Sequence, residues 1–188
     1  MRDLSLHLID IIQNSVSAKA SRVSVRLTAD TSSNRLILEI ADNGVGMDEA
    51  FVKSVIDPFV TTRTSRKIGL GIPLLKASAE RAGGSFDISS VRGKGTTLTA
   101  SFEISNIDRL PLGDIAETVS NIVTASPDID IDVTLSSDMG NFDFDTAEVK
   151  KQLGGVPINE FEVVSWIKKY IDEGIKNTFG GVLNEIDS

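Results

Sequence analysis

Two stretches of this chain, RVSVRLTA from Arg22 and RLILEIA from Arg35, alternate strictly between polar and apolar residues. Side chains of a strand point to opposite faces in turn, so Val23, Val25 and Leu27 share one face, as do Leu36, Leu38 and Ile40. A strand buried on both faces reads instead as a continuous apolar run. The alternation therefore argues against a doubly wound sheet with helices on both sides. It predicts an α/β fold of two layers, a mixed and mostly antiparallel sheet with helices on one face. SFDISSV and TTLTASFEI alternate too, on either side of the tight turn Arg92-Gly93-Lys94-Gly95.

The covering layer is legible at helical spacing. Leu4, Leu8, Ile11, Ile12 and Ser15 fall on one side of a helix over Asp3–Ala18. Met47 to Ile56 predicts a short helix capped by Asp48. Leu70 to Ala82 predicts another, with Pro73 tolerated in its first turn and Gly83-Gly84 stopping it. Pro58 to Ile68 has no period and reads as a basic loop. Beyond Ile104, LGDIAETVSNIV, TAEVKKQL and NEFEVVSWIKKYIDEGI predict helices, and DIDIDVTLSS with NFDFDT a hairpin. A boundary near Asn106–Pro111 is expected, separating residues 1–107 from a small acidic α+β extension, residues 108–188. Val163, Val164, Trp166, Ile167, Tyr170 and Ile171 form an apolar face expected to pack on the first unit.

Charge follows the same division. Residues 1–107 carry 13 Lys and Arg against 11 Asp and Glu, while residues 108–188 carry 6 against 16. So acidic a second half should repel nucleic acid. With no cysteine in the chain there is no disulfide or thiolate metal site, which fits a reducing cytoplasm. No run of eighteen apolar residues predicts a membrane span, and no charged-then-apolar leader opens the sequence. His7 is the single histidine, excluding any site that needs two. It is expected to be partly exposed, without an ionic role.

Four features can carry chemistry. Asp10 and Asn14 are one helical turn apart and share a face. The amide oxygen of Asn14 is a hard ligand suited to Mg²⁺, and the Asp10 carboxylate can polarise an attacking water. In Asp42-Asn43-Gly44-Val45-Gly46, an acceptor-only carboxylate at a strand end suits an exocyclic amino group such as adenine's, and glycines let backbone approach a flat ring. The loop Thr61 to Lys67 is rich in hydroxyls and cations and runs into Gly69-Leu70-Gly71, which opens a helix. Free N–H groups at a helix N-terminus seat phosphate, and Arg63, Arg66 and Lys67 can close over a triphosphate. Last, a threonine at the start of the strand after Gly93-Lys94-Gly95 can reach a base. Taken singly, each also fits a plainer role: a solvent-facing pair, an Asn-Gly turn, a solvated connection, a hairpin.

In this order and spacing the four resemble the GHKL superfamily, the Bergerat-fold ATP-binding domains of gyrase, the ninety-kilodalton heat-shock chaperone, histidine kinases and mismatch-repair ATPases. DIIQNSVSAKASRVSV resembles the superfamily's motif helix, ADNGVGM its adenine box ending at Met47, and DPFVTTRTSRKIGLGIPLLKASAERAGGSFDISSVRGKGTTLTASF the end of a histidine kinase catalytic domain. The resemblance covers about residues 3–104. It implies that Asn14 holds Mg²⁺, that Asp42 binds the adenine amino group, and that Gly44 and Gly46 line the base. It places Phe59 under the lid and Gly69, Leu70 and Gly71 at the phosphates, with Arg63 and Lys67 from the lid. Thr97 supports the adenine site. Hydrolytic members usually carry glutamate where Asp10 stands, and the aspartate, one methylene shorter, withdraws the carboxylate by about 1.5 Å. Lys67-Ile68 stands where a Gly-Thr pair often begins the kinase glycine box. No helix pair with a phosphoacceptor histidine precedes the motif helix here, so an acceptor is expected on a separate protein.

Two functions are thus expected of such a domain. One is an enzyme that passes the γ-phosphate of Mg-ATP to a partner protein, or to water with Asp10 as base. The other is a nucleotide-gated module, in which ATP orders the lid and the acidic extension meets a regulated partner or holds a homodimer together.

Overall fold

The computed structural model describes residues 2–56 and 70–183. The expected Phe59, Arg63, Arg66, Lys67 and Gly69 lie outside the described residues, as does the loop that carries them.

The chain runs α1 (Leu4–Ser17), β1 (Arg22–Asp30), β2 (Arg35–Asp42), α2 (Glu49–Ile56), α3 (Gly71–Arg81), β3 (Phe86–Val91), β4 (Gly95–Glu103), α4 (Ile115–Ala125), β5 (Asp130–Ser137), β6 (Gly140–Asp145), α5 (Thr146–Gln152) and α6 (Phe161–Phe179). The six strands form one mixed sheet in the order β3-β4-β2-β1-β5-β6. Only the β1–β5 pair is parallel; the other four pairs are antiparallel. The alternation did its work: Val23, Val25, Leu27, Leu36, Leu38 and Ile40 are all buried. They meet Leu4, Leu8, Ile11 and Ile12 of α1 in the same core. The residues between them, such as Ser24, Arg26 and Glu39, lie on the uncovered face.

The stretch after residue 106 is stitched to the first half in two ways. The carbonyls of Pro111 and Leu112 accept from the N–H groups of Leu4 and Ser5, both at 2.9 Å. These donors have no partner within α1, so the returning chain satisfies them. Then β5 extends the sheet beside β1. On the uncovered face Arg22 bridges Asp132 at 2.9 Å and Asp145 at 2.7 Å, tying β1 to β5 and β6. The hydrogen bond to Asp145 is the main reason the Arg22 pKa is raised. Part of the acidity of the second half is thus matched by a cation of the first.

On α6, Ile167 and Ile171 are fully buried, while Trp166 and Tyr170 remain 49% and 39% exposed. The two rings stack with centroids 5.1 Å apart, and Tyr170 also packs on Phe142. The apolar face packs through the isoleucines mainly on α4, β5 and β6 of its own half, not on the first unit as expected, and leaves its aromatic edge outside.

His7 departs from expectation. It is 1% exposed rather than partly exposed, because α1 packs against α3 and His7 lies close to the Gly71 backbone at the start of α3. Burial lowers its pKa from the ordinary 6.5, against the opposing pull of the Gly71 backbone and the Asp10 and Asp3 carboxylates. The unfolded chain therefore takes up a proton near pH 6.5 that the folded chain refuses. Stability is complete above that pH and falls as pH drops toward the lowered value. As the chain has no other histidine, thermal melts should show Tm falling between pH 7 and pH 5, and His7→Gln should flatten that fall. An unchanged slope in the variant would detach the effect from His7.

Candidate functional site

The site is built where the C-terminal half of α1 passes the end of β2. Asp42 is the last residue of β2 and has the same parity as Leu36, Leu38 and Ile40, so it points to the covered side. A cleft of about 480 Å³ opens there, walled by Ile11, Ile40, Phe51, Val55, Ile72, Ile88 and Leu98. Apolar walls with few converging polar groups are the usual make-up of a small-molecule site.

The Asp42 carboxylate is held at both oxygens. Ser15 Oγ donates to Oδ2 at 2.8 Å, and the Gly44 N–H donates to Oδ1 at 2.8 Å. Asn43 does not make a hairpin turn. Its Oδ1 accepts from the N–H groups of Ser21 and Arg22, both at 2.9 Å, which fastens the loop to the start of β1. The loop is fastened on its other side to the β3–β4 turn. Gly93 N–H donates to Val45 O at 2.7 Å, and Met47 N–H donates to Ser90 Oγ at 2.8 Å.

Two glycines permit this crossing. Gly46 has φ +63°, and a Cβ there would lie 2.1 Å from the Val91 carbonyl oxygen. Gly95 has φ +108°, and its Cβ would lie 1.9 Å from the carbonyl oxygen of Asp42. Only glycine takes such backbone with no Cβ to clash.

The predicted residues are distributed as follows. Asn14, Asp42, Gly46 and Met47 line the cleft, Asn14 from its exposed rim. Gly44 is absent from the lining: it sits beneath the Ala18 carbonyl and serves the carboxylate through its N–H. Asp10 packs on Gly71, whose missing Cβ would lie 2.9 Å from Asp10 Cβ and 3.1 Å from its Oδ2. The carboxylate thus stands against the opening residue of α3, and Leu70 just ahead of it is 62% exposed. Thr97 is corrected. It pairs with Ala41 across the ladder and faces the uncovered side. Thr96 pairs with Asp42, lines the cleft, and meets Ser90 Oγ at 2.9 Å. Strand parity contained the signal, since Thr96 is in step with the buried Leu98, Ala100 and Phe102.

Ser15 and Ser90 were not anticipated as site residues. Ser15 carried a sign, being a polar residue on an otherwise apolar helical stripe. Ser90 carried none, because its role depends on the loop that crosses it.

The family profile described as histidine kinase-, DNA gyrase B-, and HSP90-like ATPase matches residues 2–106. The chain belongs to this family. Within this ATPase family, a sensor protein of Shewanella frigidimarina is 36% identical over 104 residues, covering 54% of this chain and 16% of that protein. The signal transduction histidine-protein kinase AtoS of Escherichia coli is 34% identical over 93 residues, covering 49% of this chain and 15% of AtoS. The sensor histidine kinase YxdK of Bacillus subtilis is 31% identical over 99 residues, 49% of this chain and 30% of YxdK. The chain thus spans less than a third of the length of these curated relatives. Among solved structures, the N-terminal domain of a DNA repair protein shares the fold. It superposes with a TM-score of 0.53 at 15% identity, over 77% of this chain and 52% of that one. The family match ends before α4, and β5 and β6 extend the family's sheet beyond it. Among the described residues no helix is long and apolar enough to cross a membrane.

Proposed function

We propose that the cleft binds Mg-ATP and that the domain passes the γ-phosphate to a residue on a partner protein. The observation that carries this is the Asp42 carboxylate, fixed at both oxygens at the mouth of an apolar cleft. A doubly held carboxylate is acceptor-only, and the ring-sized apolar walls suit a purine whose amino group donates to it. The direction of transfer is drawn from AtoS and YxdK, both named as histidine kinases. With the base at Asp42, the triphosphate would run toward Asn14 and the opening of α3, where free N–H groups favour anions.

The residues present fit a bound magnesium. Asn14 offers an amide oxygen on the exposed rim of the cleft. Among the described residues no three histidines or carboxylates cluster to hold a metal, so phosphate and water would supply most of its ligands. Such an ion supplies charge neutralisation on the phosphates. Asp10, one turn before Asn14 and against Gly71, is the group able to take a proton from an attacking hydroxyl or water.

The test uses purified protein with γ-labelled Mg-ATP, with and without lysate. Label on a second protein supports transfer, and free phosphate supports hydrolysis in its place. Tight binding with neither would leave the nucleotide-gated module as the reading. No binding at all would overturn the assignment. In the hydrolytic arm, Asp10→Asn should leave the ATP Kd within about threefold and slow phosphate release by about a hundredfold. Equal release by wild type and variant would remove Asp10 as the base.

A further inference from the structure

We infer that Ser15 is a positioning residue that sets the preference of the cleft for a 6-aminopurine, acting through Asp42. The inference rests on the nucleotide reading above and adds a residue and a selectivity to it.

Ser15 is 2% exposed and interrupts a stripe formed by Leu4, Leu8, Ile11 and Ile12. A hydroxyl buried there needs a partner. Its own helix offers only the Ile11 carbonyl, at 3.3 Å, beyond the usual range for an O–H donor. Asp42 Oδ2 lies closer, at 2.8 Å, and 27 residues away in sequence. The bond therefore crosses from helix to sheet, and it is the better of the two.

Its effect follows from where the other oxygen is tied. Gly44 N–H holds Oδ1 from the loop, while Ser15 holds Oδ2 from the helix. Two donors on opposite sides stop the carboxylate turning about its Cβ–Cγ bond. One lone pair of each oxygen is occupied, and the remaining ones are free to meet a ligand. Ser15 also lines the cleft itself, so the tie lies at the wall and not behind it. The ligand meets a fixed acceptor edge. An amino group at that point donates to it, a carbonyl oxygen is repelled, and a bare C–H gains nothing. With only the Gly44 tether left, the carboxylate would swing and the edge would lose its aim.

Ser15→Ala removes the hydroxyl and keeps the Cβ, in a helix that alanine favours. Isothermal titration should compare ATP with purine riboside triphosphate, which lacks the 6-amino group, on wild type and variant at equal Mg²⁺. A melting curve establishes that the variant is folded. The expected result is about a tenfold loss of ATP affinity in the variant, as for one charge-assisted hydrogen bond. The des-amino nucleotide should change by less than about twofold. A merely structural role would weaken both nucleotides equally, and that result overturns the inference, as does an unchanged ATP affinity. If wild type binds ATP but shows no preference over the des-amino nucleotide, the selectivity is overturned while the nucleotide site stands. Wild type binding neither nucleotide sinks the nucleotide reading and the inference with it.

Discussion

Asp42→Asn should weaken ATP binding by about a hundredfold or more, read by titration calorimetry. The substitution is nearly isosteric, so the fold should survive and the melt should shift little. The chemistry is not conserved. An asparagine has one acceptor oxygen where Asp42 has two, and Asp42 already accepts from Ser15 and from the Gly44 N–H. If the amide oxygen serves the Gly44 N–H, the NH₂ group confronts the ligand's amino group, donor against donor, although the Ser15 hydroxyl can turn to accept from it. Turning the amide over moves the same conflict to Gly44. Either orientation also forfeits the negative charge that strengthens each of these bonds. Normal ATP binding by a folded Asp42→Asn variant would show that the purine edge is read elsewhere.

Gly95→Ala should cost about 3 kcal/mol of stability, a fall in Tm of roughly 10 °C for a chain of this size. Two penalties combine. The backbone at φ +108° is one that L side chains rarely adopt, and the new Cβ would sit 1.9 Å from the Asp42 carbonyl oxygen. Neither neighbour can yield cheaply, because Asp42 is bonded within the ladder to β4 and tethered by two further donors. Gly93→Ala is the matched control: its φ is +79°, and a Cβ there meets nothing within 4 Å. It should show the backbone strain alone. Equal Tm shifts in the two variants would mean that the close crossing over Asp42 contributes nothing.

Much of this arrangement could be read before the fold was seen. The alternating strands announced a sheet covered on one side, and the buried stripe of α1 announced its cover. Asp42, Asn14, Gly46 and Met47 were placed at a site by motif, and they line one cleft. Gly71 and Asp10 were named for separate reasons, yet they touch. Such features are local: periodicity reports which face is buried, and a glycine or a carboxylate at an element's end reports what that end can do.

Other features are relations between distant segments, and no window of sequence contains them. The choice between Thr96 and Thr97 is not one of these, since strand parity already sets Thr96 in step with the buried Leu98. Ser90 matters only because the 43–47 loop crosses it. Ser15 reads as a modest interruption of an apolar stripe until β2 brings Asp42 within 2.8 Å of it.

The order of the sheet is the clearest such case. Residue order alone was enough for the strands, their buried faces, and the acid, amide and Gly46 of the cleft, because backbone geometry ties each to near neighbours. Packing in three dimensions alone set β5 parallel to β1, Arg22 against the acids of the second half, and the Ser15 hydroxyl on the Asp42 carboxylate. Those pairings close loops of many residues, and their free energy comes from contacts that exist only once the sheet and helices have packed.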